Sequence, residues 1–345
     1  MKCPVEVCIC THEPRPGVLR RTLSALAAQT ANPGTFRILL VDNGCSPALS
    51  EAVLETVRGA GVAARLVREE RLGLTSARLR AIDETSGDWV LFLDDDNEVR
   101  SDFVAEGLAF AAGHPSVGCF GGKLLLPEGM RTPSWVRDFI PYLAIKDAGD
   151  DPIIGGSLEW GRWEPPGAGA WVRRDVADAF LRRYRCDPRI LELGRRGKTV
   201  LSSCEDAVMM REAVRLGLRQ AYVPRLVLRH HLDPGRLRAG YLIRLLHAYG
   251  ASMVRVESLV KGRVESPRYA KYYRSLWRFW MLLFAQLWRA RKTSLAFGVA
   301  MAAYHWGARA EFVAAERRVR AWVLPGRGPL TAAVLERPDG QRAEP

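Results

Sequence analysis

Two rhythms of apolar and polar residues alternate along the first third of the chain. Residues 4–10 (PVEVCIC) and 36–42 (FRILLVD) are short, β-rich apolar runs of the kind buried strands use. Between them, GVLRRTLSALAAQT sets Leu19, Leu23, Leu26 and Ala27 at helical spacing. A strand, a helix and a strand within about forty residues predict the βαβ unit of a parallel sheet. The alternation continues: EAVLETVRGAG reads as helix, AARLVREE as strand, TSARLRAIDETSG as helix and DWVLFLDDD as buried strand. Thr75 or Ser76 suits the N-cap of the third helix and Gly87 its end. The pattern predicts a doubly wound α/β unit over residues 1–115.

Beyond residue 115 the rhythm weakens. GCFGGKLLLPEG reads as strand, and 130–170, rich in Gly, Pro and Trp, as a loop-rich lobe. RRDVADAFLRRY reads as helix. SCEDAVMMREAVRLGLRQAYVPRLVLRHH reads as a helix stopped by Gly217 and a strand ending at His230–His231. Residues 237–320 are mainly helical in pattern, and no internal repeat is visible.

Ligands of open parallel sheets bind beyond the carboxyl ends of the strands. At those ends lie Thr11, His12 and Glu13 after the first strand, Asp42 after the second, and Asp94, Asp95 and Asp96 after WVLFL. Three adjacent carboxylates need a cation or strong donors to be tolerable. Their oxygens suit Mg2+ or Mn2+ held together with substrate phosphates. A second acidic pair, Glu205–Asp206, opens a helix, where it would also favour the helix dipole. The loop after the first strand, THEPRPG, is neither a dinucleotide fingerprint nor a P-loop. Metal-dependent phosphatase or nucleotidyltransferase chemistry is the alternative reading at this point.

Composition changes this picture little. With 48% hydrophobic and 26% charged residues, the 345-residue chain is that of a globular protein. The N-terminal MKCPVEVCICTHEPRPG is not a signal peptide in pattern, so the first strand is expected in the cytosol. The seven cysteines are then expected reduced, with Cys8 and Cys10 as buried small hydrophobes. Charge matters more. The net charge is +13, and residues 255–295 carry ten Lys or Arg against two Glu, with Trp and Tyr interleaved.

The motifs in order resemble those of the family 2 glycosyltransferases with the GT-A fold. VEVCICTHEPRPGVLRRTLSALAAQT resembles the family's opening, ILLVDNG its second strand, and LGLTSARLRAI the segment before the DxD strand. WVLFLDDDNEV resembles the DxD motif, PPGAGAWVRRDV the glycine-rich acceptor-side segment, and SSCEDAVMMREAVRLGLRQAYVPRLVLRHH the ED segment. The likeness covers about residues 4–250. It implies a mostly parallel sheet with helices on both faces in a catalytic domain over 1–235. That domain divides into a nucleotide-sugar half (1–115) and an acceptor-side half (116–235). A helical C-terminal region over 236–345 would follow, disordered from about 325.

The activity so implied is inverting sugar transfer from a nucleotide donor, UDP-, GDP- or TDP-linked, to a glycan or lipid-linked acceptor. Envelope polysaccharide or glycolipid synthesis is the implied setting, and a binding-only family member the alternative. Thr11, Glu13 and Asp42 match nucleotide-contacting positions, and Arg78 a basic position near the donor. Asp94 and Asp95 match positions facing ribose and sugar. Asp96, with Asp94 and a histidine at 230 or 231 (His230 preferred), matches the Mn2+ or Mg2+ site. Asp206, with Glu205 beside it, matches the catalytic base, and Gly167, Gly169 and Trp171 the acceptor side. Leu79 and His12–Glu13 depart from the family's usual residues, which leaves the base and the sugar open. The physics is consistent: an acceptor hydroxyl needs a carboxylate to take its proton, and a departing diphosphate needs positive charge.

The tail is basic and aromatic. YYRSLWRFWMLLFAQLWRARKTSLAFGVAMAAYHWGARAEF holds two apolar runs split by RARK, neither of which reaches the ~20 residues of a bilayer span. Burying Arg289, Arg291 and Lys292 in lipid would be costly. Two placements stay open: flat on an anionic membrane at the cytoplasmic face, or packed on the core or a second copy. Nucleic-acid binding is not expected, because no such motif is present.

Overall fold

The computed structural model describes residues 3–197, 199–262, 270–290 and 293–322. The expected tail disorder beyond 325, and Arg291 and Lys292, lie outside these residues. The first half contains β1 (Val5–Thr11), α1 (Pro16–Ala27), β2 (Phe36–Asp42), α2 (Glu55–Gly59) and β3 (Ala64–Arg68). It continues with α3 (Leu74–Asp83), β4 (Trp89–Asp94), β5 (Asn97–Val99) and α4 (Phe103–Gly113). The second half contains β6 (Val117–Leu125), β7 (Ile153–Gly155), β8 (Ala170–Arg173), α5 (Arg174–Tyr184), α6 (Pro188–Leu191), α7 (Glu205–Arg215) and β9 (Arg219–His230). Four helices follow: α8 (Ala239–Lys261), α9 (Ala270–Arg274), α10 (Leu276–Arg289) and α11 (Leu295–Trp322).

The sheet runs in the order β3-β2-β1-β4-β8-β6-β9-β5, with β7 on β9. β1, β2, β3 and β4 are parallel, in register from Val5 opposite Phe36 and Trp89. β8 then joins β4 antiparallel, so the second half of the sheet is mixed in direction. Every residue of β1 is buried, because helices cover both faces. One face packs α1, α2 and α4, through Leu19, Leu23, Val57 and Phe103. The other packs α3, α5, α7 and α8, through Ala77, Phe180, Val208 and Val256. Cys8 and Cys10 sit together on this second face, and burial pushes the Cys10 thiol up to about 12. The one acid in β1, Glu6, is satisfied by Arg37 at 2.9 Å and by the backbone N–H groups of Ser86 and Gly87.

Two local expectations fail. The N-cap of α3 is Gly73, at φ 139°, and not Thr75 or Ser76. The Thr75 hydroxyl instead donates to the Leu193 carbonyl at 2.6 Å, pinning α3 to the 190s loop. The helix also stops at Asp83, with Thr85 bonding back to the Ala81 carbonyl, before Gly87 is reached.

α8 lies across the core and pairs with α11. Gly250 and Gly307 permit their close approach: a Cβ on Gly250 would come 2.0 Å from the Tyr304 carbonyl oxygen, and one on Gly307 2.0 Å from that of His247. Among the described residues, no helix is long and apolar enough to cross a membrane.

Candidate active site at the strand ends

A cavity of about 760 Å3 opens at the carboxyl ends of β1 and β4. Its walls include Thr11, Arg78, Asp94, Asp95, Asp96, Gly167, Glu205, Asp206 and His230. The two acidic clusters therefore face one space, although 109 residues separate Asp96 from Glu205 in the chain.

Arg78 joins them. It projects from α3 across the Phe92 ring, and its guanidinium lies 2.6 Å from Glu205 Oε1 and 3.5 Å from Asp94 Oδ1. Arg78 and Glu205 are both almost fully buried. Burial pushes Glu205 up to about 7 against the pull of Arg78, with Asp206 adding to the rise. Cys204, at φ 78°, turns the chain into α7 in the left-handed region and so aims the first-turn acids at the cavity. Asp206 Oδ2 accepts from the Gly167 backbone N–H at 2.7 Å, and Oδ1 from Ala207 at 2.9 Å. Only a glycine fits at 167. A Cβ there would sit 2.6 Å from Arg78 Nη2 and 2.9 Å from Asp206 Oδ2.

The three aspartates have three different surroundings. Asp94 is the most open. Asp95 accepts from the Thr11 hydroxyl, and burial, with Asp96 beside it, pushes it up to about 7. Burial would raise Asp96 as well, but the nearby His230 first, and Arg236 after it, hold it at about 2. His230 Nε2 lies 3.2 Å from Asp96 Oδ1. His231 faces away, 2.6 Å from Glu98, so strand alternation assigns the cavity to His230.

His230 Nε2 is buried and, despite its nearness to Asp96, makes no hydrogen bond. An orphaned imidazole nitrogen 3.2 Å from the Asp96 carboxylate is a pair of donors that suits Mn2+ or Mg2+. Among the described residues no group of three or more His, Cys, Asp or Glu side chains is placed to hold a metal ion. An ion that takes its remaining ligands from phosphates and water needs none.

Four sequence-derived site residues do not line the cavity. Trp171 is fully buried on the far face of the sheet, stacked on Phe120 at 5.3 Å and filling the space over Gly107, so it cannot stack on a sugar. Gly169, at φ 75°, donates its N–H to the Phe92 carbonyl and serves the sheet. The Asp42 carboxylate is consumed by the backbone N–H groups of Cys45 and Leu49 and by Arg68, each within 2.9 Å. Glu13 accepts from the Ser46 N–H at 2.7 Å. Asp42 and Glu13 thus brace the loop after β2, and Asn43 and His12 stand at the cavity wall.

Among the other wall residues, Arg236, Lys146 and Glu164 carried no sequence signal. Arg236, in the turn after β9, faces Asp96 at 3.9 Å. Lys146 donates to the Glu164 carbonyl at 2.7 Å, and burial pulls it down to about 8. Burial pushes the Glu164 carboxyl up to about 7. Trp160 lines the mouth, 66% exposed.

The family model for glycosyl transferase family 2 matches residues 6–181, just over half the chain. The chain belongs to glycosyltransferase family 2. Curated relatives include the O-antigen biosynthesis protein RfbC of Myxococcus xanthus, 36% identical over 118 residues, which cover 33% of this chain and 9% of that protein. The succinoglycan biosynthesis protein ExoM of Rhizobium meliloti is 28% identical over 197 residues, covering 56% of this chain and 57% of that one. The chain thus spans little over half of ExoM and a small part of RfbC. Among solved structures, the mannosyltransferase PcManGT from Pyrobaculum calidifontis, in complex with GDP-Man and Mn2+, aligns over 94% of this chain and 88% of its own. The TM-score is 0.51 and the identity 17%. That likeness gives the fold, the GT-A architecture expected of family 2.

Proposed function

We propose that this chain is an inverting glycosyltransferase that moves a sugar from a nucleoside diphosphate donor to an acceptor hydroxyl. The observation that carries the reading is the convergence of Asp94–Asp96 and Glu205–Asp206 on one cavity, held together by Arg78. One cluster suits a metal–diphosphate and the other a base.

The acceptor oxygen attacks the anomeric carbon from the face opposite the departing phosphate. A C–O bond forms there, the bond to the β-phosphate oxygen breaks, and the diphosphate leaves with the electron pair. Asp206 takes the acceptor proton, its carboxylate aimed by the Gly167 N–H. Arg78 keeps Glu205 and Asp94 in place and adds positive charge beside the donor. Asp96, His230 and Asp94 would hold Mn2+ or Mg2+, which supplies charge for the leaving diphosphate. Thr11 and Asp95 form the ribose and sugar wall.

The names of RfbC and ExoM, an O-antigen and a succinoglycan biosynthesis protein, favour a glycan acceptor in polysaccharide synthesis. The test is a thermal-shift panel of UDP-, GDP- and TDP-sugars, with and without Mn2+, on wild type and Asp96→Ala. Stabilisation by one nucleotide, only with metal and only in wild type, is the expected result. No shift with any nucleotide on folded protein would overturn the reading.

A further inference from the structure

The exposed large hydrophobic side chains are not scattered. Among the described residues, all but Leu72, Trp160 and Leu216 lie between Leu276 and Trp306. The centre of this patch is α10. Its inner side, Phe279, Leu282 and Leu283, packs with Tyr273 and Phe312. Its outer side presents Trp277, Trp280, Met281, Phe284 and Trp288, exposed by 73, 54, 55, 69 and 58%. These positions fall at i, i+3, i+4, i+7 and i+11, one continuous stripe of a helix. Trp306 of α11 extends it, with its ring 6.1 Å from that of Trp280. An apolar patch of this extent on a folded surface marks a place where something docks.

Charge selects the occupant. Ala270–Arg289 contains Lys271, Arg274, Arg278 and Arg289 and no acid. Arg278 and Arg289 are exposed and fall about 100° and 120° round the helix from Trp277, on the flank between the stripe and the buried side. Three tryptophans and a phenylalanine on one side with arginines along its edge match the needs of a bilayer interface. There indole rings sit at headgroup depth and guanidinium groups meet lipid phosphate. A second copy of the chain would set these arginines against each other, with no acid in the stretch to relieve them.

We infer that α10, together with Trp306, is an in-plane docking surface for an anionic lipid bilayer. The surface is separate from the cavity chemistry, so its test requires no sugar nucleotide and its failure leaves the transferase reading intact.

The experiment is flotation of the full chain with phosphatidylcholine vesicles, pure or containing about 30% phosphatidylglycerol, at low and high salt. Wild type is expected to float with the anionic vesicles at low salt and to be released as salt rises. The variant W277S/W280S/F284S should lose about tenfold or more in partitioning, and R278E/R289E should lose binding to anionic vesicles specifically. All five side chains are exposed, so the variants should melt as wild type does, and light scattering reports their oligomeric state. Three results would overturn the inference: no flotation of wild type at low salt, undiminished flotation of both variants, or a wild-type dimer that the triple variant turns into monomers.

Discussion

The guanidinium of Arg78 lies 2.6 Å from Glu205 Oε1, with both side chains about 95% buried. The pair links α3 to the first turn of α7, and through Asp94 to the end of β4. Removing one partner leaves the other as a buried, unpaired charge. Arg78→Met is therefore expected to cost about 3–5 kcal/mol of stability, by chemical denaturation. The double variant Arg78→Met/Glu205→Gln should recover much of that loss. If the double variant is no better than the single one, the buried charge is not the cause.

Asp206 is held by a backbone N–H and stays accessible to the cavity. Asp206→Asn keeps one of the two acceptors, enough for the Gly167 N–H, but cannot take a proton. Turnover should fall by about 10²–10⁴-fold, while donor affinity, read by calorimetry, changes little. Equal loss of both would remove Asp206 from the role of base.

At residue 167 the space for a side chain is absent. The Cβ of Gly167→Ala meets Arg78 and Asp206 below 3 Å. The side chains of the charged network must move, and displacing a base by a fraction of an ångström to an ångström costs about 10²-fold in rate. The expected signature is a large drop in kcat with a melting temperature close to wild type.

Glu164 gives a pH dependence of stability. Burial lifts its carboxyl from an ordinary 4.5 to about 7, against the pull of Arg211. Between those values the folded chain binds more protons at this group than the unfolded chain does. Its contribution is fully present below pH 4.5 and is lost as pH rises through about 7. Wild type should therefore lose on the order of 2–3 kcal/mol across this window relative to Glu164→Gln, by urea unfolding at each pH. Parallel curves for the two proteins would contradict this.

Much of this was legible in sequence because it is local. The strands β1, β2 and β4 announce themselves as apolar runs, and the helices α1, α5 and α7 by their spacing. The acids at strand ends follow from the rule for parallel sheets. What escaped depends on distant chain. Trp171 follows a glycine-rich segment and matches an acceptor-side position, but strand pairing turns it onto Phe120. Asp42 sits where a ligand contact belongs, yet the loop at Cys45–Leu49 folds back and takes both oxygens. Arg236, Lys146 and Glu164 reach the cavity only because long irregular segments close over it, and no periodicity encodes such closure. His230 and His231 could not be told apart until the pairing of β9 with β5 fixed their faces.

The crossing at Gly250 and Gly307 carries a mechanical consequence. Helices in such near-backbone contact cannot slide or roll past one another without collision. On its cavity side, α8 contributes Leu245 and Tyr249 to the wall, and on its other side it grips α11, which carries Trp306. Wall, crossing and Trp306 therefore share one tightly packed pair of helices. Under the docking inferred above, a bilayer that holds the stripe would also set the angle at which the cavity mouth faces it.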